Sequence, residues 1–386
     1  MIYKSSHPLS PNTTIVINNT SVDYTSISGF TIELTENEHD YATITIAGAP
    51  AASVTDFFNQ AVYILLDSGV GRRQEFFGYV VGAEPVSRSE QGLVNNSFLQ
   101  EMRLRCLGSS FVMKEVSSQV WDRPTLSNIV LELVQKYKFS ASYPKDTFKP
   151  TRMTQANESD WAFLRRVVDT YGYSMSVHGT HLHIWDVAKA TRRSPSYHVL
   201  TTPNVYTTEH PGAVMRFEAH LGHYASSGDK SRLNTTILDN QGNITTADAI
   251  RGELKDTRGV TYSVFNTPLK QNFQTLEEAE RFVDSKQKHR PLFSASVEVT
   301  AGAGIVPGGI VNLTGYKGEF DGIWYVSNVV HKMSTNMYTT ELEIQKSNKS
   351  SEDIGKGAVS VFQTPPIPTM YNNRWVTSSE TIEEYA

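Results

Sequence analysis

The sequence predicts a mainly β fold with an α+β insert, in which two similar small β-barrel domains flank a helix and hairpin domain. Three observations support this prediction. A three-strand pattern occurs at 61–107 and again at 308–345. Its strands alternate apolar and polar residues, which is typical of a sheet with one buried face. Between the two copies, in 109–187, the apolar residues change to helical spacing.

The two copies share the same order of features. Each begins with a short apolar strand, at 62–66 and at 310–313, and continues through a polar turn that contains glycine and a basic residue. A second strand then follows an aromatic residue and a glycine, which is Gly78 in the first copy and Gly322 in the second. Glycine in this setting is typical of a bulge or a tight bend, which a small sheet needs in order to close. We therefore expect both glycines to have a structural role and to be equivalent.

Length and composition restrict the function classes. The 386 residues predict two or three domains, because a single core stops growing at roughly 250 to 300 residues. The net charge is −5 and the basic residues are dispersed, so no sequence-specific nucleic-acid surface is expected. No apolar run approaches the roughly 20 residues of a membrane helix and no signal peptide is visible, so we expect no membrane partner and folding in a cytoplasm. The single cysteine, Cys106, excludes an internal disulfide.

Taken in order, the chain divides into four predicted segments. They are a first β-barrel domain at 1–108, an α+β helix and hairpin domain at 109–187, a second β-barrel domain at 188–346 with inserted loops and a helix at 275–290, and an extended arm at 347–386. In the α+β domain, one helix is predicted at 126–137. A second begins at the cap Asn157, places Trp161 on its apolar side and stops at Gly172. A hairpin then turns around 179–180.

Candidate metal-binding chemistry is confined to that hairpin. His181 and His183 share one face of a strand, and His178 lies opposite His181 across the turn, so these three are the metal candidates. No nearby cysteine and no acidic residue before Asp186 completes a tetrahedral set, so a polar hairpin face is the preferred interpretation. Residues 239–243 resemble a calcium loop only superficially, because the glycine is displaced and the final acidic ligand is missing. Without a catalytic motif, the sequence predicts no enzyme and no cofactor.

An ordered set of motifs resembles a known family. The run at 157–166 reads NESDWAFLRR, and it continues through YGY at 171–173 to LHIWD at 182–186. This set resembles the corresponding segment of phage tail hub proteins of the late control D type, and of the N-terminal part of type VI secretion spike proteins. The resemblance extends in order over most of 25–345, although no single motif is diagnostic.

The resemblance implies a structural protein of the phage tail baseplate hub. In that family two tube-like barrel domains per subunit assemble as a homotrimer, so that six similar barrels form a pseudo-sixfold ring. Such a symmetry adaptor would join the hexameric tail tube to a separate trimeric spike. It would leave a central channel for the genome or the tape-measure protein. The implied location is the virion tail, after assembly in the cytoplasm of the host bacterium.

Three residues are candidates for contacts with partner proteins. Arg72 and Arg73 form a basic hairpin turn, and Trp375 lies in the arm at 347–386. Because the chain continues only as this arm after the second barrel domain, the resemblance implies a spike from another chain, on which the arm would dock. Two alternatives stay open: a tail-associated peptidoglycan hydrolase, which needs a catalytic constellation, and a tail-tip receptor-binding protein, which needs an exposed aromatic groove.

Overall fold

The structure is a computed structural model and contains mainly β-strands. It describes residues 12–22, 26–47, 54–67, 72–89, 98–146, 148–150, 152–190, 197–200, 213–221, 231–238, 244–251, 254–255, 261–262, 265–268, 279, 293–316, 320–334, 337–346, 369–371, 374–376 and 383–385. The mainly β fold predicted from the sequence is confirmed.

The strands of the first half and of the middle of the chain come first. In the first half they are β1 Asn12–Ile17, β2 Thr20–Ser21, β3 Ile27–Thr35, β4 Tyr41–Ala47, β5 Ala61–Asp67, β6 Arg73–Ser89 and β7 Phe98–Gly108. In the middle they are β8 Val116–Asp122, β9 Ser140–Pro144, β10 Arg152–Ser159, β11 Ser174–His178 and β12 His181–Trp185.

The second half and the arm contain the remaining strands. They are β13 Tyr197–Leu200, β14 Val214–Leu221, β15 Ser231–Leu238, β16 Ile244–Arg251, β17 Leu254–Lys255, β18 Thr261–Tyr262, β19 Phe265–Pro268, β20 Phe293–Thr300, β21 Ile310–Thr314, β22 Gly322–Ser334, β23 Tyr338–Lys346, β24 Thr369–Tyr371, β25 Arg374–Val376 and β26 Glu383–Tyr385. The helices are α1 Val54–Phe57, a 3-10 helix Ser109–Lys114, α2 Leu126–Tyr137, α3 Asp160–Tyr171 and α4 Val187–Ala190. None of the described helices is long and apolar enough to cross a membrane.

One 13-stranded sheet joins the two halves of the chain. Its main order is β14-β20-β23-β22-β3-β4-β7-β6-β5-β1-β2, and β13 and β21 extend it beside β22. Burial alternates residue by residue along strands such as β1, β4 and β20, because successive side chains point to opposite faces. The buried faces of both halves share one apolar core. Among the described strands, no pairing closes either half into a barrel.

The sheet shows the internal repeat directly. In the first half the order is β3-β4-β7-β6-β5, and in the second half it is β14-β20-β23-β22-β21. The β6–β7 register shifts between Val80 and Gly82, and the β22–β23 register shifts between Val326 and Asn328. The register of β3 against β4 also shifts near the start of β3, and the register of β14 against β20 shifts at the same place near the start of β14. Both copies therefore carry a bulge in the same two strand pairs.

The predicted equivalence of Gly78 and Gly322 is wrong. Aligning the bulges makes Val80 equivalent to Val326, which places Gly78 opposite Trp324 in the repeat. Gly78 lies inside β6, whereas Gly322 is the first residue of β22 and pairs with the end of β21. The sequence could not fix this register, because a bulge adds a residue to one strand only.

A separate α+β unit lies between the two halves in sequence and has its own apolar core. Helix α2 occupies the predicted 126–137, and α3 ends at Gly172, whose left-handed φ of 80° allows the predicted stop. The predicted cap Asn157 is wrong: the side chain of Ser159 caps α3, and Asn157 lies at a bulge of β10 with a φ of 53°. Pairing of β10 with β8 continues to Ser159, so the helix begins two residues later than predicted.

Two further predictions fall mostly on residues that the structure does not describe. The predicted hairpin of the second half is present as β15 and β16, but its turn at 239–243 lies outside the described residues. The helix predicted at 275–290 lies outside them except for Ala279, which is helical and buried. In the arm, β24 pairs with β25, and β26 adds in parallel to β9 of the α+β unit.

Candidate functional site

A seam of backbone pairing connects the two halves of the chain. Strand β3 pairs antiparallel with the second part of β22, from Asn328 opposite Thr35 to Ser334 opposite Gly29. The core-facing positions on both sides are buried, including Ile32, Leu34 and Val329. We call this pairing the seam. It is the surface by which one copy of the repeat binds the other.

The turn between β3 and β4, residues Glu36–Asp40, contacts all three parts of the molecule, and we call it the junction turn. The Glu36 N–H donates to the Ser327 carbonyl of the second half at 3.1 Å. The Asn37 N–H donates to the Met175 carbonyl at 2.8 Å, and the Met175 N–H donates to the Asn37 side-chain oxygen at 3.0 Å. This turn therefore fixes the α+β unit against the seam.

A buried chain of hydrogen bonds reinforces the junction turn. The Trp185 indole N–H donates to the Tyr325 hydroxyl at 3.0 Å, and that hydroxyl donates to Glu36 Oε2 at 2.7 Å. Burial raises the pKa of the Glu36 carboxyl, and the hydrogen bond from Tyr325 opposes the shift. Burial and the Glu36 charge raise the pKa of Tyr325. Each part of the molecule contributes one member of the chain, so a change in their arrangement leaves a buried polar group without its partner.

Trp185 sits in a closely fitted apolar seat. Only 1% of it is exposed, and it packs with Val187, Ala190, Ile310 and Tyr325. Gly308 forms one wall of the seat with a φ of 79°, and a Cβ at that position would lie 2.6 Å from Trp185 Cε2. The Gly308 N–H also donates to the Val326 carbonyl at 2.9 Å. Glycine is therefore required here both for the backbone conformation and for space.

The other end of the junction turn contacts α3 and the histidine hairpin. The His39 ring stacks on Trp161 with 4.5 Å between the ring centroids, and burial lowers the pKa of His39. Asp40 is buried, and its Oδ2 lies 3.1 Å from His178 Nδ1. Burial raises the pKa of the Asp40 carboxyl, while His178 opposes that shift. The predicted structural residue Trp161 thus lies where the α+β unit meets the first half.

The three histidines considered as metal candidates have hydroxyl and carboxylate partners. His181 pairs with His178 across the turn, as predicted, but its two ring nitrogens lie 2.8 Å from Ser140 Oγ and 2.9 Å from Ser142 Oγ. The same Ser142 hydroxyl lies 2.7 Å from His183 Nδ1. Burial lowers the pKa of His181 to about 4. Among the described residues, no group of three or more ligating side chains could hold a metal ion.

The predicted structural glycines occupy different settings. Gly78 pairs with both Val62 and Gly108, and an added Cβ would lie 2.0 Å from the Leu107 carbonyl oxygen. Gly322 has a φ of 112°, in the region that favours glycine. The close approach at Gly78 brings β6 and β7 together beside the first bulge.

The candidate partner contacts lie at two separate places. Arg73 forms an ion pair with Asp67 at 3.1 Å across its own hairpin. Arg72 Cβ and the backbone of Arg73 also lie close to the loop of the second half at Gly304, where an added Cβ would be 3.5 Å from Arg72 Cβ. Trp375 belongs to β25, opposite Met370 of β24. The structure does not bring the basic turn and Trp375 together through any described strand pairing.

Sequence reasoning missed the contacts that Glu36, Asn37, Asp40 and Tyr325 make between the parts of the molecule. The only local signal was a polar run, ENEHD, that follows an alternating strand. Such a run predicts a turn but carries no information about what the turn contacts. The hydrogen-bond partners that these residues have in another part of the molecule lie more than 100 positions away in the sequence.

Solved structures provide a fold comparison. The chain is similar to a tail protein from Neisseria meningitidis MC58, with 10% identity, a TM-score of 0.63, and coverage of 89% of this chain and 98% of that chain. It is also similar to a 43 kDa tail protein of prophage MuSo2 from Shewanella oneidensis, with 11% identity, a TM-score of 0.61, and coverage of 86% and 98%. An Escherichia coli component of the type VI secretion system gives 11% identity, a TM-score of 0.54, and coverage of 89% and 78%.

The family comparison gives the identity. No curated protein matches the chain in a sequence search. Residues 31–337 match the family described as phage tail baseplate hub (GPD), which confirms the resemblance seen in the sequence. Proteins of this family are structural components of the phage tail and not enzymes. The chain therefore belongs to the phage tail baseplate hub family and is a component of the virion tail.

Proposed function

We propose that this chain is a symmetry adaptor: a homotrimer whose six similar β halves form a pseudo-sixfold ring between the hexameric tail tube and a separate trimeric spike. The halves correspond to the predicted domains 1–108 and 188–346, each curled into a small barrel-like unit. The α+β domain at 109–187 braces the ring from one side. The ring leaves a central channel for the genome or the tape-measure protein.

The observation that carries this proposal is the repeat of strand order with bulges in the same strand pairs. A threefold assembly of a chain with a twofold internal repeat offers six similar surfaces to a sixfold tube. The parts that are not repeated, which are the α+β unit and the arm, occur once per chain and keep true threefold symmetry. One face can therefore bind a hexameric partner and another a trimeric partner.

The native mass of the purified chain tests the proposed homotrimer. We expect light scattering of the purified chain to give three chain masses alone, or, after mixing with the spike protein encoded beside it, the mass of the spike plus three chain masses. The physical reason is that each half has a partner surface for a neighbouring half, and a ring is the arrangement that satisfies all of them. A chain that stays a monomer in both conditions, at concentrations well above those of tail assembly, would contradict the proposal.

We propose that the arm at 347–386, including Trp375, docks on the separate spike. The sequence of this segment contains few apolar residues for a core of its own, so it is suited to ordering on a partner surface. Deleting 351–386 is expected to weaken spike binding in a pull-down while the trimer persists by light scattering. The matched control removes only 379–386, which contains β26 and its pairing with β9. Unchanged spike binding after the longer deletion would rule out this role.

A further inference from the structure

The internal repeat also indicates which strands join neighbouring copies. We infer that the outer edge of β14 in one copy pairs antiparallel with residues 82–88 of β6 in the next copy. This inference rests on the proposed ring and adds its contact surface. The partner at this edge is a second copy of the same chain.

The seam within the chain is the template. There, the leading strand of the first half, β3, pairs with the second part of β22 in the second half. The first part of β22 is occupied differently, because it pairs with β21. On the edge opposite β23, the long strand β22 thus pairs with its own half through its first part and with the other half through its second part.

The repeat gives each strand of the seam an equivalent. The shared bulge makes Asn328–Ser334 of β22 equivalent to Gly82–Arg88 of β6. The bulge of β3 against β4 matches that of β14 against β20, which makes Glu33 equivalent to His220. The seam therefore has a counterpart in which β14 takes the place of β3 and β6 takes the place of β22.

Within the described part of the chain, both strands of this counterpart have an open edge. Among the described strands, β14 pairs only with β20 and ends the sheet. In β6, the part before Val80 pairs with β5, whereas β7 is the only strand among those described that pairs with residues 82–89. The equivalent edges in the seam are paired with each other. An open strand edge presents unpaired N–H and C=O groups and is a template for another chain.

Geometry explains why the counterpart forms between chains. The seam joins the leading strand of the first half, β3, to the second part of β22 in the second half. The next equivalent contact therefore joins the leading strand of the second half, β14, to the second part of β6 in a first half. The second half's own first half is already bound through the seam, so the contact needs a new copy. Such a head-to-tail contact closes into a ring when the rotation per half divides a full turn.

The side chains at these edges are compatible with the inferred register. The seam pair Val330 and Glu33 maps onto Glu84 opposite His220 in the next copy. On the other face, Ala83 and Phe217 are partly buried against the core, as their seam counterparts are buried. Pro85, the equivalent of His331 in the seam, has no N–H to donate, so a ladder through this position has at most one hydrogen bond fewer than the seam.

Cysteine cross-linking tests the register. Residues directly opposite in an antiparallel pair have Cβ atoms about 4.5 to 5.5 Å apart, close enough for a disulfide after a small adjustment. The full-length chain carrying Glu84→Cys and His220→Cys is expected to give linked dimers and linked trimers on a non-reducing gel after mild oxidation, with no larger species. The native Cys106 is buried, and burial raises the pKa of its thiol to about 12, so it does not compete.

Controls separate the register from chance encounters. The pair Glu84→Cys and Arg216→Cys shifts one thiol by four residues, or about 13 Å along the strand, and should link little. Each single variant should leave the chains unlinked at this site. His220 is exposed, and the Glu84 side chain, which forms an ion pair with Arg105 at 2.8 Å, is 44% exposed, so the fold should tolerate both substitutions.

The outcomes distinguish this inference from the proposed function. Trimers by light scattering with equal linking in both double variants, or with none in either, would overturn the β6–β14 contact and leave the trimer standing. A monomer by light scattering, with and without spike, would overturn both. Linking that stops at dimers would also overturn the inference, because a head-to-tail contact in a trimeric ring links three chains.

Discussion

Replacing Gly78 with alanine is expected to reduce the free energy of unfolding by about 3 kcal/mol, the upper end for overpacking, or to prevent folding. The added Cβ would lie 2.0 Å from the Leu107 carbonyl oxygen, 2.8 Å from the Leu107 carbonyl carbon and 3.0 Å from Gly108 Cα. All three are backbone atoms of a paired strand and cannot rotate away. Urea denaturation followed by circular dichroism measures the loss.

Gly82 provides the matched control, because it lies four residues further along the same strand. A Cβ there would be 3.7 Å from Arg105 Cβ, which is ordinary van der Waals contact. Gly82→Ala should therefore change the unfolding free energy by no more than about 1 kcal/mol, in either direction. Similar losses at Gly78 and Gly82 would show that the approach of β6 to β7 is not what requires glycine.

Replacing Gly308 with alanine is expected to destabilise the protein by about 2 to 4 kcal/mol. Two effects add: a side chain at a φ of 79° costs about 1 kcal/mol or more, and the new Cβ would lie 2.6 Å from Trp185 Cε2, which overpacks a closed seat. Displacing Trp185 also disturbs its hydrogen bond to Tyr325. The thermal unfolding midpoint and the urea midpoint measure the effect.

Gly304 separates the two effects at Gly308. It has a similar φ of 87° in the same loop, but the nearest atom to its added Cβ is Arg72 Cβ at 3.5 Å. Gly304→Ala should therefore show only the backbone cost of about 1 to 2 kcal/mol. The difference between the variants isolates the fit of Trp185. Equal destabilisation would mean that the seat expands freely and that Trp185 does not fix the α+β unit.

Both variants also predict consequences for assembly. Gly78 lies two residues before the start of the β6 bulge, and Gly308 forms one wall of the Trp185 seat. In the proposed ring, a distortion at either position is repeated three times. Variants that fold but do not give trimers would connect these close contacts to the pseudo-sixfold arrangement.

The sequence alone determined those features that depend on local periodicity. Alternation marked the strands of both copies, helical spacing marked α2, and the glycine at 172 marked the end of α3. The repeat at 61–107 and 308–345 was visible because equivalent strands must bury the same face in each half. The family resemblance followed from an ordered set of motifs, and the family match confirms it.

The tertiary structure alone decided the features that depend on register and on distant partners. A bulge shifts one strand by a residue, so the equivalence of Gly78 with Trp324, and not with Gly322, emerges only from the pairing. Strand pairing likewise placed the α3 cap at Ser159. In the junction turn, Glu36 and Asn37 contact residues that are far away in the sequence, and nothing in the sequence indicates that they are close in space. Its contacts arise because the two halves fold into one sheet and bring the α+β unit against its middle.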